Sequence, residues 1–159
     1  MELDAMLCDH AEVVGGKLFI NGAGIERMDV PPNAPPPYVV FFAVAGTVSV
    51  PWTATNVNHA LSFRFLTEDG AHPELPPGAI GPDGIQGEMQ FNVGRPPQAT
   101  SGQDQLVPFA FNFQGIPLMR AGRYVIELSI DGQPVRRLSF QIAQSQQELR
   151  YTIPMPGPV

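Results

Sequence analysis

Residues 106–142 alternate apolar and polar positions through three consecutive runs, and this period of two constrains the fold more than any other feature of the chain. Successive side chains of a strand point to opposite faces, so alternation over this length specifies pleated backbone with one face buried. Val107, Phe109, Phe111 and Phe113 share one face of the first run, with Ala110, Asn112 and Gln114 opposite. The second run sets Tyr124, Ile126, Leu128 and Ile130 against Arg123, Val125, Glu127 and Ser129, which reads as a half-buried strand. Asp131-Gly132-Gln133-Pro134 then supplies a hairpin turn, because Asp tolerates and Gly freely adopts the left-handed backbone region. Leu138, Phe140 and Ile142 form the inward face of the returning strand.

The same pattern recurs upstream. Leu3, Ala5 and Leu7 alternate with Met6, Cys8 and His10, and Gly15-Gly16 predicts a hairpin whose return strand is Lys17-Leu18-Phe19-Ile20. Asn21-Gly22-Ala23-Gly24 breaks the run before a short strand at residues 25–30. Residues 38–50 are apolar on both faces, most densely over 38–45, which marks a central strand or one covered on its outer side by a partner subunit, with Gly46 and Pro51 limiting its length. His59, Leu61, Phe63 and Phe65 form the inward face of a further strand, and Met89, Phe91 and Val93 that of another. The prolines at 31–37 cannot donate ladder hydrogen bonds and are expected to connect strands or sheets. Together these runs predict an all-β fold, an antiparallel β-sandwich of about eight strands. The entry Gly122-Arg123-Tyr124 resembles the tyrosine corner of immunoglobulin-like sandwiches, in which the hydroxyl ties back to upstream backbone.

Eighteen prolines and sixteen glycines leave little room for helix, since each costs about 3 or about 1 kcal/mol in a helix interior. The expected organisation is a single β-sandwich domain over residues 1–143 and a polar, proline-rich tail over 144–159. Leu149, Tyr151 and Ile153 alternate within that tail, which fits either an added edge strand or a disordered end. Fifteen acidic against nine basic residues give a net charge of −6, with no basic stripe of the kind that binds polyanions. Nucleic acid and membrane are therefore not expected partners. The longest apolar run falls far short of the ~20 residues a membrane helix needs. A single cysteine, Cys8, allows no internal disulfide, and the start Met1-Glu2-Leu3-Asp4 carries acids where a secretory signal carries bases, so a cytoplasmic location is expected.

Groups that could carry chemistry are few. Asp9, His10 and Glu12 cannot share one face of a strand, and three scattered histidines make no zinc signature, so no metal or other cofactor is expected. Asp69, Asp83 and Asp104 fall in three loops, each too poor in acids for a calcium site of the sandwich type. Cys8 and His10 lie two apart on one strand face, the spacing of a nucleophile and its base, although a lone cysteine in an apolar strand behaves more often as a small hydrophobe. The chain is not expected to be an enzyme. The long loop at residues 71–85, rich in Pro and Gly, is where loop-borne binding is expected. Trp52 plugs the end of the fold or anchors an interface. The candidate binding residues are Trp52, Tyr38, Asp83 and Tyr151.

The segment from Ala5 through Asp9 and Ala11, followed by Gly16-Lys17-Leu18 and Gly22-Ala23-Gly24, with a Gly-x-Tyr close at Gly122-Arg123-Tyr124, resembles a family of small uncharacterised bacterial β-sandwich proteins, a domain of unknown function. That resemblance implies no catalytic residues. The leading expectation is a non-catalytic β-sandwich acting through protein–protein association, as a homo-oligomer or with another protein. The alternative is a small-ligand or carbohydrate-binding module at the loop end. A metal-dependent or cysteine enzyme around Cys8 and His10 is the third reading.

Overall fold

The computed structural model describes residues 1–79, 84–95, 97 and 100–145. Along the chain run β1 (Glu2–Cys8), β2 (His10–Val14), β3 (Lys17–Asn21), β4 (Arg27–Val30), β5 (Tyr38–Val50), a 3-10 turn (Trp52–Ala54), β6 (Asn58–Thr67), β7 (Gln86–Asn92), β8 (Gln105–Leu118), β9 (Gly122–Ile130) and β10 (Gln133–Gln144). β1, β5 and β8 form one sheet in that order, β4-β10-β9-β6-β7 form a second, and β2 with β3 is a separate hairpin. No helix among the described residues is long and apolar enough to cross a membrane.

The all-β expectation holds, with two corrections. Ten strands rather than about eight are present among the described residues, and the sheets are mixed, because β4 pairs with β10 in parallel while the other pairings are antiparallel. The extra count comes from Asp9, which splits the first run. Its N–H lies within hydrogen-bonding reach of the Asn21 and Gly22 carbonyls (3.1 and 3.2 Å), which turns the chain out of the β1 direction and into the hairpin. The proline segment behaves as expected: it carries the chain from β4 in the second sheet to β5 in the first, with a cis bond between Pro36 and Pro37.

One core lies between the two larger sheets. Phe42 and Phe109 from the first and Phe65, Leu61, Ile126 and Leu128 from the second are all almost wholly enclosed. Phe42 stacks on Phe113 (centroids 4.7 Å apart) and meets Phe65 and Phe140 at 6.1 and 5.2 Å, so the aromatic faces cross-link the sheets. The phenylalanines at 109, 111 and 113 face inward as read from their spacing. Beyond Phe113 the parity changes, since Ile116 and Leu118 are the buried residues. A bulge produces the change: Val40 pairs with Ile116 but Phe42 with Phe113, and Gly115 takes φ +73° to accommodate the extra residue. β5 runs from Tyr38 to Val50 as read from the sequence, with Gly46 inside it and Pro51 just past its end. A Cβ at Gly46 would overlap the Asp4 carbonyl oxygen, so the missing side chain is what lets β1 close on β5.

Both predicted turns are two-residue connections with left-handed backbone at each position: Gly15 and Gly16 (φ +57° and +76°), and Asp131 and Gly132 (φ +51° and +76°). β9 departs from its half-buried expectation. Val125, Glu127 and Ser129 on its outer face are buried as well, because β6 and β10 flank it and the Arg64 and Arg137 side chains converge on Glu127 at 2.5 and 3.8 Å. Tyr124, at the start of β9, donates its hydroxyl to the Arg120 carbonyl at 2.5 Å, and burial pushes that phenol's pKa upward.

Candidate interaction surface

The two-sided apolar character of β5 has an intramolecular cause over half its length. Ala43 and Ala45 on its outer face are sealed together with Cys8 and Ala11, and Leu18, Ile20 and Ala110 pack around them. The β2–β3 hairpin is thus a roof over the first sheet. Asn112 fastens it: its amide nitrogen donates to the Ala11 carbonyl (2.8 Å) and its amide oxygen accepts from the Ala11 N–H (3.2 Å), so one side chain occupies the place of a neighbouring strand.

The roof stops short of the amino-terminal part of β5. Val39 is 50% exposed and Phe41 64%, both on the outer face. In the same stretch the sheet edge is open among the described residues, because β1 ends at Cys8 opposite Ala43 and residues 38–42 have a strand neighbour there only on the β8 side. An open edge beside a large exposed aromatic is unusual, since unpaired backbone groups and apolar surface both invite association. The groove along this edge is lined by Asp9, Ile25, Arg27, Met28 and Asp29 as well as Val39 and Phe41. Arg27 is held by Asp29 at 2.7 Å.

The candidate residues read from the sequence do not form one site. Tyr38 opens β5 opposite Leu118, and its hydroxyl accepts a hydrogen bond from the Gln144 amide at 3.1 Å. Trp52 follows the far end of the same 13-residue strand, about 40 Å away at the rise of extended backbone. The described start of the loop read at 71–85 sits at the Tyr38 end, where the Glu74 carbonyl accepts from Met119 N–H. Trp52 therefore cannot serve a ligand held by that loop. Its ring is half-buried, with the Arg95 guanidinium carbon 4.7 Å from its centroid, and Arg95 also donates to the Trp52 carbonyl and Thr55 hydroxyl. Asp83 and Tyr151 lie outside the described residues.

The other polar candidates are also separated. Asp69 accepts from Thr67 at the Tyr38 end, which holds its carboxyl below the usual range, whereas Asp104 accepts from Ser49 at the Trp52 end (3.0 Å). Cys8 is fully buried with its Sγ turned to the Ala43 carbonyl, while His10 is exposed beyond the Asp9 break, so the two do not share a face. Burial, and then the Asp9 charge, pushes the Cys8 thiol's pKa up, away from the thiolate a nucleophile needs. Among the described residues, no group of three or more His, Cys, Asp or Glu is placed to hold a metal ion.

Sequence reasoning gave three residues no part in what they do in the fold, although it set His59 on an inward face. Asn112 looked like an outward polar position, and nothing local marks it as an anchor. Phe41 was one of many apolar residues in a two-sided run. His59 is a buried histidine with both ring nitrogens engaged: Nδ1 lies 2.8 Å from Asp131 Oδ2 and Nε2 2.8 Å from the Ala54 carbonyl oxygen.

Comparison with curated proteins and with solved structures finds no match. A family model does match, over residues 3–143, a span that begins within β1, takes in the roof and the bulged β8, and ends within β10. The chain belongs to DUF6941, a family of unknown function.

Proposed function

We propose that this chain is a non-catalytic, immunoglobulin-like β-sandwich that acts in the cytoplasm through protein–protein association, taking an extended segment of a partner protein along the open edge of β5. The immunoglobulin-like reading is supported by strand order. β1-β5-β8 corresponds to strands A, B and E of that fold, and β10-β9-β6-β7 to G, F, C and C′. The Tyr124 hydroxyl bond falls at the start of the strand equivalent to F, where the tyrosine corner belongs. The single cysteine, Cys8, which is free and buried, supports the location.

The association reading rests on one observation: Phe41 stands 64% exposed on a strand whose β1 side is open among the described residues. A partner segment there gains backbone hydrogen bonds from the edge and apolar contact from Phe41 and Val39, the two ingredients of strand addition. Covering the exposed part of a side chain of about 200 Å² removes roughly 130 Å² from water. At about 25 cal/mol per Å², less the cost of ordering the partner, this contributes on the order of 2 kcal/mol. Peptides selected by display against the purified chain provide the test. Phe41→Ser is expected to weaken their binding roughly thirtyfold, and the amides of residues 38–42 are expected to gain protection from hydrogen exchange when peptide is bound. Peptides that bind both forms equally and leave those amides unchanged would refute the proposal.

A second reading is favoured by the polar groove that Thr67, Asp69, His72, Glu74, Arg120 and Arg123 form where residues 71–74 meet the β8–β9 connection. It would take a small polar ligand such as a sugar. Saturation-transfer NMR with a panel of mono- and disaccharides tests it, and signals that survive Arg123→Ala unchanged would count against this groove.

A further inference from the structure

His59 sits on the inward face of β6 with its side chain 8% exposed, and it touches two otherwise separate features. One is Asp131 in the β9–β10 turn, which also accepts the Ala60 N–H through its other oxygen at 2.9 Å. The second is the carbonyl of Ala54, the last residue of the 3-10 turn that begins at Trp52. Both partners are acceptors. A neutral imidazole has one N–H and can satisfy only one of them, whereas an imidazolium donates to both. Little water reaches the ring to make up the difference.

We propose that His59 is a proton-operated latch on the Trp52 turn: as the imidazolium it clamps Ala54 to the β9–β10 turn, and loss of one proton releases Ala54 and loosens residues 52–57. The remaining proton stays on Nδ1, where the Asp131 carboxylate makes the stronger, charge-assisted bond. Nε2 then presents a lone pair to the Ala54 oxygen, and that contact becomes repulsive. Among the described residues the charges acting on the ring are the Asp131 carboxylate and the Met1 amino group, whose positive charge opposes protonation; Arg95 is held on Trp52 and Thr55 of the segment the latch grips. Phe91 covers one side with its ring centroid 5.6 Å away and adds no charge.

The direction of the switch follows from linkage. The Ala54 carbonyl, then Asp131, hold the folded-state pKa of His59 above its unfolded value of about 6.5. The latch's contribution to stability is complete below that unfolded value and is lost as pH rises through the folded one. The latch is therefore closed in mildly acid solution and opens on the alkaline side.

The experiment reads the ring directly. Long-range proton–nitrogen NMR of the wild-type protein is expected to show both His59 nitrogens protonated at pH 6 and a single Nδ1 proton at high pH. Over the same titration the emission of Trp52, the chain's sole tryptophan, is expected to change with the same midpoint. Intrinsic-rate-corrected amide exchange at residues 52–57 should accelerate about tenfold, the equivalent of one lost hydrogen bond. His59→Gln should abolish the emission step, and Asp131→Asn should move its midpoint down. A single ring proton at pH 6, an emission step that survives in His59→Gln, or a midpoint unmoved by Asp131→Asn would overturn the proposal. The ring measurement stands even where a variant fails to fold.

Discussion

Removing the Asn112 amide tests whether the hairpin is a roof held by one side chain. Asn112→Ala deletes two hydrogen bonds to the Ala11 backbone, at 2.8 and 3.2 Å, and leaves both Ala11 groups without those partners. Each neutral bond is worth about 1 kcal/mol net, so opening of the hairpin should become easier by about 2 kcal/mol, or roughly thirtyfold in its equilibrium. The apolar contacts that remain, Ala11, Leu18 and Ile20 on Cys8, Ala43, Ala45 and Ala110, are mostly between small side chains and cannot compensate. Cys8 provides the assay, because it is the sole cysteine and is fully buried beneath the roof. Its labelling by an aromatic disulfide reagent requires local opening, so the rate should rise roughly thirtyfold in Asn112→Ala while the urea midpoint falls by less than that change implies. Asn92→Ala, which removes the exposed Asn92–Asn58 bond at the β6–β7 edge, is the control and should leave labelling unchanged. Labelling of Asn112→Ala within about twofold of wild type would refute the reasoning. So would labelling that tracks global unfolding in every variant.

Four further outcomes are expected. Tyr124→Phe removes the hydroxyl bond to Arg120 and should cost about 1 kcal/mol, lowering Tm by about 2–4 °C in a scanning calorimeter. Gly115→Ala should cost a similar amount, about 1 kcal/mol, purely from backbone strain at φ +73°, because the added Cβ meets Phe41 and Val39 only at ordinary contact distance; a midpoint unchanged in urea would show that the bulge relaxes. Glu127→Ala leaves Arg64 and Arg137 facing each other without the carboxylate between them, and should destabilise by about 1 kcal/mol in dilute buffer and less in high salt. On the acid side, the Ala60 N–H, then His59, hold the Asp131 carboxyl below its usual range. Its contribution is present above the unfolded value of about 3.8 and is lost as pH falls through the folded one, so the wild-type and Asp131→Asn stability curves should converge in strong acid.

Period-two patterning carried far because burial on one face is a local signature. The β8, β9 and β10 runs and the Gly15-Gly16 and Asp131-Gly132 turns were legible for that reason, as was the tie of the Tyr124 hydroxyl to upstream backbone. What escaped depended on partners distant in sequence. Asn112 reaches Ala11 across 101 positions, and no neighbour of Asn112 signals this. Asp9 ends β1 through carbonyls that come near only after the hairpin has formed. Tyr38 opens β5 and Trp52 follows its end, so the run read over residues 38–50 already sets the two apart, while nothing in it says which loops gather at either end. Buried Glu127 escaped for a related reason: alternation marks it as outward, and only the flanking strands with Arg64 and Arg137 enclose it.

Side-chain size on the outer face of β5 ties the fold to the proposed association. Ala43 and Ala45 are small, as are Cys8 and Ala110 beside them, and this is what lets the hairpin backbone come close enough for Asn112 to grip Ala11. Val39 and Phe41 are large, lie past the end of β1, and face the glycine of the bulge in place of a covering strand. A residue such as Phe41 at that position adds nothing to the core, which is already filled by Val40 and Phe42 pointing the other way. Its substitution should therefore separate the two roles. Phe41→Ser is expected to leave the unfolding midpoint within about 0.5 kcal/mol of wild type while removing the apolar part of the open edge. A large loss of stability would place Phe41 in the fold and take away the main support for strand addition at this edge.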